Sequence, residues 1–307
     1  MTFVRLAVTA VTLSLVTGCV SVPLAFDGAT PAPSAEGAGF PLCVLTQERV
    51  DRFTLSGLDR FSFANWKEVI ASVAMKRPDG LLVVDPAFGR TIRADLTHVP
   101  ALLRVVTGDA TGKTPLAVKL LEAGLDAGAV KWALLTHAHW DHTGALGDLK
   151  AAQVLLSRAE YEWTRGFHEA FDHGALTHQL ARAEGRFAPL ELDGPPLYGF
   201  DASKDVFGDG SVIALPLPGH TPGHLGYVLR DEKGVRWLLL GDAAWLLRGV
   251  EEPAHKGAFA RMLDSDGAAT GVTLGKLHAL LQAHPELHLV PAHDARGYRG
   301  LPECSAR

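Results

Sequence analysis

Thr136-His137-Ala138-His139-Trp140-Asp141-His142-Thr143-Gly144 puts three histidines and an aspartate within six residues. Immediately before it, Val130 to Leu135 reads VKWALL, an apolar run of strand length. Immediately after it, GALGDLK reads as the start of a short helix. The cluster is therefore expected on a strand-to-helix loop, at the carboxyl end of a strand, where α/β sheets place ligands. Imidazole and carboxylate together suit zinc or another borderline divalent ion.

Downstream, the pattern recurs in three places. Pro218-Gly219-His220-Thr221-Pro222-Gly223-His224 closes the run VIALPLP, Gly241-Asp242 follows WLLL, and Ala292-His293-Asp294 follows LHLVP. Each candidate ligand again sits just past an apolar run. In order the set reads His-x-His-x-Asp-His, then His, then Asp, then His. This resembles the metallo-β-lactamase-fold hydrolase superfamily over roughly residues 67–294.

The resemblance implies a four-layer αββα sandwich, with two mixed sheets packed face to face and helices outside. It implies that His137, His139 and His220 hold one divalent ion, that Asp141, His142 and His293 hold a second, and that Asp242 bridges them. Zinc suits these ligands. It further implies a hydrolase in which a metal-bridging hydroxide attacks the carbonyl of a small ester or lactone. Asp141 and Asp242 are then the catalytic carboxylates, Asp141 also orienting the nucleophile. Asp85 and His224 are expected to support the ligand imidazoles, or else to serve as an ordinary strand-end cap and loop hydrogen bond.

Within the superfamily, the N-acyl homoserine lactonases resemble the chain in their ligands and in the Thr-Pro-Gly-His segment. They usually carry a Tyr three residues after the bridging Asp, where this chain has Trp245. An indole N–H can donate to a carbonyl oxygen but cannot act as an acid. Trp140 and Trp245 are expected either to wall an apolar pocket or to pack in the core. True β-lactamases generally lack the bridging Asp, and hydroxyacylglutathione hydrolases (glyoxalase II) add a helical domain after the last His. The alternatives to ester or lactone hydrolysis are β-lactam or thioester hydrolysis at the same site, and a metal-binding module without catalysis.

A formal net charge of −5 and the lack of a basic stripe argue against a nucleic-acid partner, and the resemblance implies a small-molecule substrate. The N-terminus carries Arg5, then an uncharged apolar stretch from Leu6 to Val16, too short to span a bilayer. Val16-Thr17-Gly18-Cys19 resembles a bacterial lipobox. That implies a signal peptide over 1–18, acylation of Cys19 and a membrane anchor, the alternative being an ordinary cleaved signal in which the Cys is incidental. Val20 in the next position implies the outer membrane, facing the periplasm. Residues 19–39, rich in Pro, Ala, Gly and Ser, are expected to form a flexible tether to a hydrolase domain spanning 40–307. Cys43 and Cys304 are expected either to form a disulfide or to remain separate thiols. The sequence leaves oligomeric state open.

Strands are expected over 69–75, 81–85, 130–135, 153–157, 211–217, 224–229, 235–240 and 288–290, and helices over 115–128, 159–163, 254–263 and 273–283. Arg165 to Arg186 reads as mostly helical, with His168, His173 and His178 as surface or lid histidines, and residues 164–200 as one wall of a cleft.

Overall fold

The computed structural model describes residues 31–32, 37–53, 57–58 and 65–306. Cys19, the 1–18 segment and most of the 19–39 tether lie outside the described residues. The strands are β1 (Leu42–Phe53), β2 (Asn65–Arg77), β3 (Gly80–Val84), β4 (Val130–Leu134), β5 (Gln153–Ser157), β6 (Phe171–Asp172), β7 (Ala175–Leu176), β8 (Phe187–Leu190), β9 (Lys204–Asp205), β10 (Val212–Pro216), β11 (Leu225–Arg230), β12 (Arg236–Gly241) and β13 (His288–Pro291).

Two mixed sheets result. The first has the order β1-β2-β3-β4-β5-β8 and the second β13-β12-β11-β10-β9. In the first sheet β1, β2 and β3 pair antiparallel, and β3, β4, β5 and β8 pair parallel. In the second, β12 and β13 are parallel and the remaining pairs antiparallel.

Three buried clusters define the layers. Val73, Leu82, Val84 and Leu134 of one sheet meet Val212, Ala214, Tyr227 and Leu239 of the other. On the outer face of the first sheet, Leu81, Val83, Val130 and Val154 pack against Leu116 and Leu120 of the helix Leu116–Glu122. On the outer face of the second, Ile213, Leu215, Val228 and Leu238 pack against Leu274, Leu277 and Leu280 of the helix Gly267–Ala283. Helix, sheet, sheet, helix is the expected sandwich. Strands buried on both faces read as unbroken apolar runs, which is why β4, β10 and β12 stand out in the sequence.

The sequence expectation needs correction at several places. Strand β1 has no counterpart in it. Its run LCVLTQERVDRF mixes apolar and charged residues because it is an edge strand, with a bulge between Thr46 and Glu48. The helix expected over 254–263 is limited to Ala258–Arg261, and a short helix precedes it at Arg248–Glu251. The segment expected to be helical from Arg165 to Arg186 instead forms the hairpin β6–β7 and a short helix, Thr177–Ala181. Gly174 stands at the hairpin's turn with φ +87° and His173 beside it at φ +45°, backbone that a helix cannot accommodate.

Cys43 and Cys304 form a disulfide with their Cα atoms 4.8 Å apart. It joins β1 to the C-terminal segment, where Val44 N–H donates to Pro302 and Cys304 N–H to Val44. The end of the expected tether rests on the domain: Tyr198 N–H donates to Pro31 O over 2.9 Å, and Ala38 N–H to Asp209 O over 2.7 Å.

Candidate metal centre

All the candidate ligands lie at one edge of the sandwich, on loops leaving the carboxyl ends of β4, β10, β12 and β13. After β4 the chain runs extended through His139 and then turns into the short helix Trp140–Thr143. The extended part sends His137 and His139 to one side, and the turn sends Asp141 and His142 to the other. Leu225 N–H donates to Thr136 O over 2.8 Å, which fastens this loop to the second sheet.

Two groups of ligating atoms result. His137, His139, His220 and Asp242 form one; Asp141, His142 and His293 form the other, and within each the atoms lie inside 4.8 Å. Asp242 stands between them. Its Oδ2 is 3.4 Å from His220 Nε2, and its Oδ1 is 3.3 Å from His142 Nε2 and 3.0 Å from His293 Nε2. The structure thus brings together all seven residues that the sequence singled out.

The donor set fits divalent ions. His137 Nε2, His139 Nε2, His142 Nε2, His220 Nε2, His293 Nε2 and Asp242 Oδ1 are buried without a well-aligned hydrogen-bond partner. Buried polar atoms are normally satisfied. A cation taking these lone pairs would satisfy them together. Burial first, then the neighbouring imidazoles, holds His137 and His139 well below the ordinary histidine range, so both are neutral and able to ligate. At His142 burial acts the same way, but Asp85, Asp242 and Asp141 outweigh it and raise the ring well above that range. The carboxylate field that favours a proton there favours a cation equally.

Supporting residues set the tautomers. Asp85 Oδ1 accepts from Thr136 N–H and Oδ2 from the Thr136 hydroxyl, both at 2.8 Å. That hydroxyl lies 3.0 Å from His137 Nδ1. Its single hydrogen is given to Asp85, so it accepts from Nδ1–H and leaves the Nε2 lone pair facing the site. Asp85 Oδ2 is also 3.0 Å from His142 Nδ1, though not aligned for a hydrogen bond. His224 Nε2 accepts from Asp242 N–H over 3.0 Å and so holds the bridging residue by its backbone. Gly241 makes the approach possible: with φ +52°, a Cβ there would stand 2.6 Å from Thr136 Oγ1 and 2.7 Å from His224 Nε2.

The sequence reading did not find two further supports. His220 Nδ1 lies 2.7 Å from Asp264 Oδ1 and 2.7 Å from Lys256 Nζ. A ligating Nε2 requires a protonated Nδ1, so Nδ1–H donates to Asp264, and the Lys256 ammonium bonds Asp264 and Asp242 O. Burial raises the Asp264 carboxyl, but Lys256 and His220 outweigh burial and hold it below the ordinary range. Glu160 is the second. Its Oε1 accepts from Ala138 N–H, between two ligand histidines, and its Oε2 from Gly223 N–H, beside His224. One buried carboxylate therefore ties the first metal loop to the second.

A cleft opens over the site, lined by His139, Asp141, Asp242 and His293 on the metal side and by Trp140, Trp245, Phe88 and Phe171 on its walls. Trp140 stacks on Phe88 with ring centres 5.9 Å apart. Trp245 lines the cleft as expected, but its indole N–H donates to Asp242 Oδ2 over 2.8 Å. That donor, which the sequence offers to a substrate carbonyl, is thereby engaged by the Asp242 carboxylate. The hairpin β6–β7 closes one side. Trp140 N–H donates to Gly174 O over 3.0 Å, and a Cβ on Gly174 would meet the His139 ring at 2.6 Å. Of the three histidines in this region, His173 is exposed and stacks on Phe167, and His178 lies 2.8 Å from the buried Asp95.

Residues 67–296 match the family model described as the metallo-beta-lactamase superfamily. An N-acyl homoserine lactonase of Agrobacterium fabrum is 32% identical over 180 residues, covering 56% of this chain and 60% of that protein. A probable metallo-hydrolase of Mycobacterium tuberculosis is 30% identical over 241 residues, covering 72% of this chain and 73% of the relative. Among solved structures, an N-acyl homoserine lactone hydrolase with its product N-hexanoyl-L-homoserine at the catalytic metal centre superposes with a TM-score of 0.64. That match is 15% identical and covers 87% of this chain and 98% of the other, a likeness of fold. The chain spans 52–60% of the length of the curated lactonases it matches.

Proposed function

The chain belongs to the metallo-β-lactamase superfamily, and from that premise we propose that it hydrolyses the ester or lactone bond of a small, partly apolar molecule with the aid of two divalent ions. Zinc is the ion that the imidazole-rich donor set favours. The observation that carries the reading is the position of Asp242, one oxygen directed at His220 and the other at His142 and His293. His137, His139 and His220 would hold one ion, Asp141, His142 and His293 the other, and Asp242 both.

Two such ions, when bound, supply Lewis acidity and bring the pKa of bound water from about 15.7 towards 7. The chain's own residues do the rest. Asp141 borders the cleft, where its carboxylate can hold a proton of the attacking water and pass it to the leaving oxygen. Asp85 through Thr136, and Asp264, keep His137 and His220 in the ligating tautomer. Trp140, Phe88 and Phe171 exclude water from the apolar part of the substrate. The lactonase relative and the lactone hydrolase of like fold support this choice of substrate.

The same reading puts the protein outside the cytoplasm, anchored in the outer membrane through an acylated Cys19. The Cys43–Cys304 disulfide supports export, since such bonds persist in oxidising compartments.

Metal analysis combined with a panel of esters, lactones, thioesters and β-lactams tests the function. The expected result is close to two divalent ions per chain and fastest turnover on esters or lactones. One ion or none after zinc supplementation would sink the dinuclear centre. Turnover confined to thioesters or β-lactams would replace the substrate class. A full metal complement with no turnover at all would leave a binding module.

A further inference from the structure

The cleft has a polar end that the hydrolytic chemistry does not use. Besides the candidate ligands and the aromatic walls, it is lined by Glu48, Lys113 and Thr107, with Arg52 and Glu68. Lys113 Nζ donates to Glu48 Oε1 over 2.7 Å and to Thr107 O over 2.9 Å, and the two charged side chains are only 2% and 8% exposed. Arg52 and Glu68 form a second pair at 2.6 Å. A buried ion pair contributes little to stability in itself compared with apolar residues of the same size. Its place in a substrate cleft points instead to recognition.

Two donors there have capacity left among the described residues. An ammonium carries three N–H bonds, of which Glu48 and Thr107 O take two. The Thr107 hydroxyl is buried with no hydrogen-bond partner among the described residues. Both are suited to an acceptor oxygen. The charges are already matched within each pair, and burial lifts the Glu48 carboxyl above the ordinary range in spite of Lys113. An added anion would be unbalanced in this surrounding. An uncharged oxygen would not.

Resting on the ester or lactone reading, we propose that Lys113 and Thr107 form a specificity subsite for a neutral oxygen, a ketone, hydroxyl or amide carbonyl, carried on the substrate away from the bond that is cleaved. Phe88 connects this subsite to the reaction centre. Its ring stacks on Trp140 and lies 5.5 Å from Lys113 Nζ. The substrate class is then an ester or lactone whose apolar portion is interrupted by one uncharged oxygen function, in preference to a plain alkyl chain or a carboxylate-tipped one.

The test uses aryl esters of hexanoic acid and of its 3-, 4- and 5-oxo derivatives, with the monoester of adipic acid as the charged counterpart. In the zinc-loaded wild-type protein, at least one oxo ester should exceed the hexanoate in kcat/KM by about fivefold or more, and the adipate should fall below it. Thr107→Val preserves shape and removes only the hydroxyl. The double variant Glu48→Gln with Lys113→Met removes both charges without stranding one. In each, the oxo-to-hexanoate ratio should drop towards one. A wild-type ratio of one across the series, or a ratio unchanged in both variants, would overturn the subsite. If no ester is turned over, the hydrolytic reading has failed separately. The N-methylamides of the same acids then decide the subsite by calorimetry: tighter binding of an oxo amide, lost in Thr107→Val, supports it, and equal binding overturns it.

Discussion

The indole N–H of Trp245 donates to Asp242 Oδ2 over 2.8 Å, so the aromatic residue three positions beyond the bridging carboxylate is spent on that carboxylate. With Nε1 fixed on Oδ2, Oδ1 is left directed at His142 and His293. The indole also sits 5.1 Å from the His293 ring. On the proposed function, Trp245 acts through the geometry of Asp242.

Trp245→Phe keeps an aromatic ring and deletes the donor. Loss of an outer hydrogen bond to a metal ligand typically costs 10- to 100-fold in metal affinity or activity. Chelator competition should show a loss in that range, and excess zinc should restore much of the turnover. Unchanged metal affinity would make the bond incidental.

Asp264→Asn keeps a side-chain acceptor near His220 Nδ1 but removes the charge that Lys256 pairs with. The ion held by His137, His139 and His220 should be the one lost, so stoichiometry at limiting zinc should fall from about two towards one. Lys256→Met strands a buried carboxylate and should cost about 3–5 kcal/mol of stability. Equal stoichiometry in Asp264→Asn and wild type would remove Asp264 from the centre.

Burial raises the Glu160 carboxyl from 4.5 to about 7, the hydrogen bonds from Ala138 and Gly223 opposing it. The folded state then keeps a proton that the unfolded chain has already released. This contribution to stability is greatest below about pH 4.5, declines as pH rises to about 7 and is flat above. At about 1.4 kcal/mol per unit the decline is about 3 kcal/mol. Glu160→Gln should lose one backbone acceptor, costing about 1–3 kcal/mol, and should also lose the slope. Denaturant unfolding from pH 5 to pH 8 at fixed metal loading is the measurement. Parallel curves for the two proteins would show that Glu160 does not titrate in that window.

Cys304→Ser opens a bridge between residues 261 apart in sequence. Losing such a bond typically removes about 2–5 kcal/mol. Thermal unfolding should shift down, and reducing agent should have no further effect on the variant. An unshifted transition would place the bond outside the cooperative unit.

Cys19→Ser tests the anchor. The variant should leave the membrane fraction with its specific activity intact. Retention in that fraction would mean that something other than an acylated Cys19 holds the protein there.

The candidate ligands were legible because each follows an apolar strand by one to a few residues and because their order along the chain resembles that of a known superfamily. The residues that orient them were not. Asp264 reaches His220 from 44 positions away, and Lys113 reaches Glu48 across 65. Pairing over such distances depends on how the loops pack, which no local period encodes. Glu160 did leave a trace, since Ser157-Arg158-Ala159-Glu160 has the spacing of a helix capping box. Ser157 does cap, accepting from Glu160 N–H over 2.9 Å. The Glu160 carboxylate, however, turns away from its helix to the two metal loops. The hairpin β6–β7 was misread because its residues have acceptable helix propensity, and one backbone-permissive position at Gly174 overrides them.

That glycine also limits how this cleft can diversify. A side chain at position 174 would press on the His139 ring, so that position cannot be varied for a new substrate without disturbing a candidate metal ligand. Phe171 on the same hairpin and Thr107 also line the cleft. Descendants of this scaffold that change substrate should accumulate their substitutions at those positions and leave residue 174 alone, and a saturation library over the cleft should recover the same partition between fixed and tolerant sites.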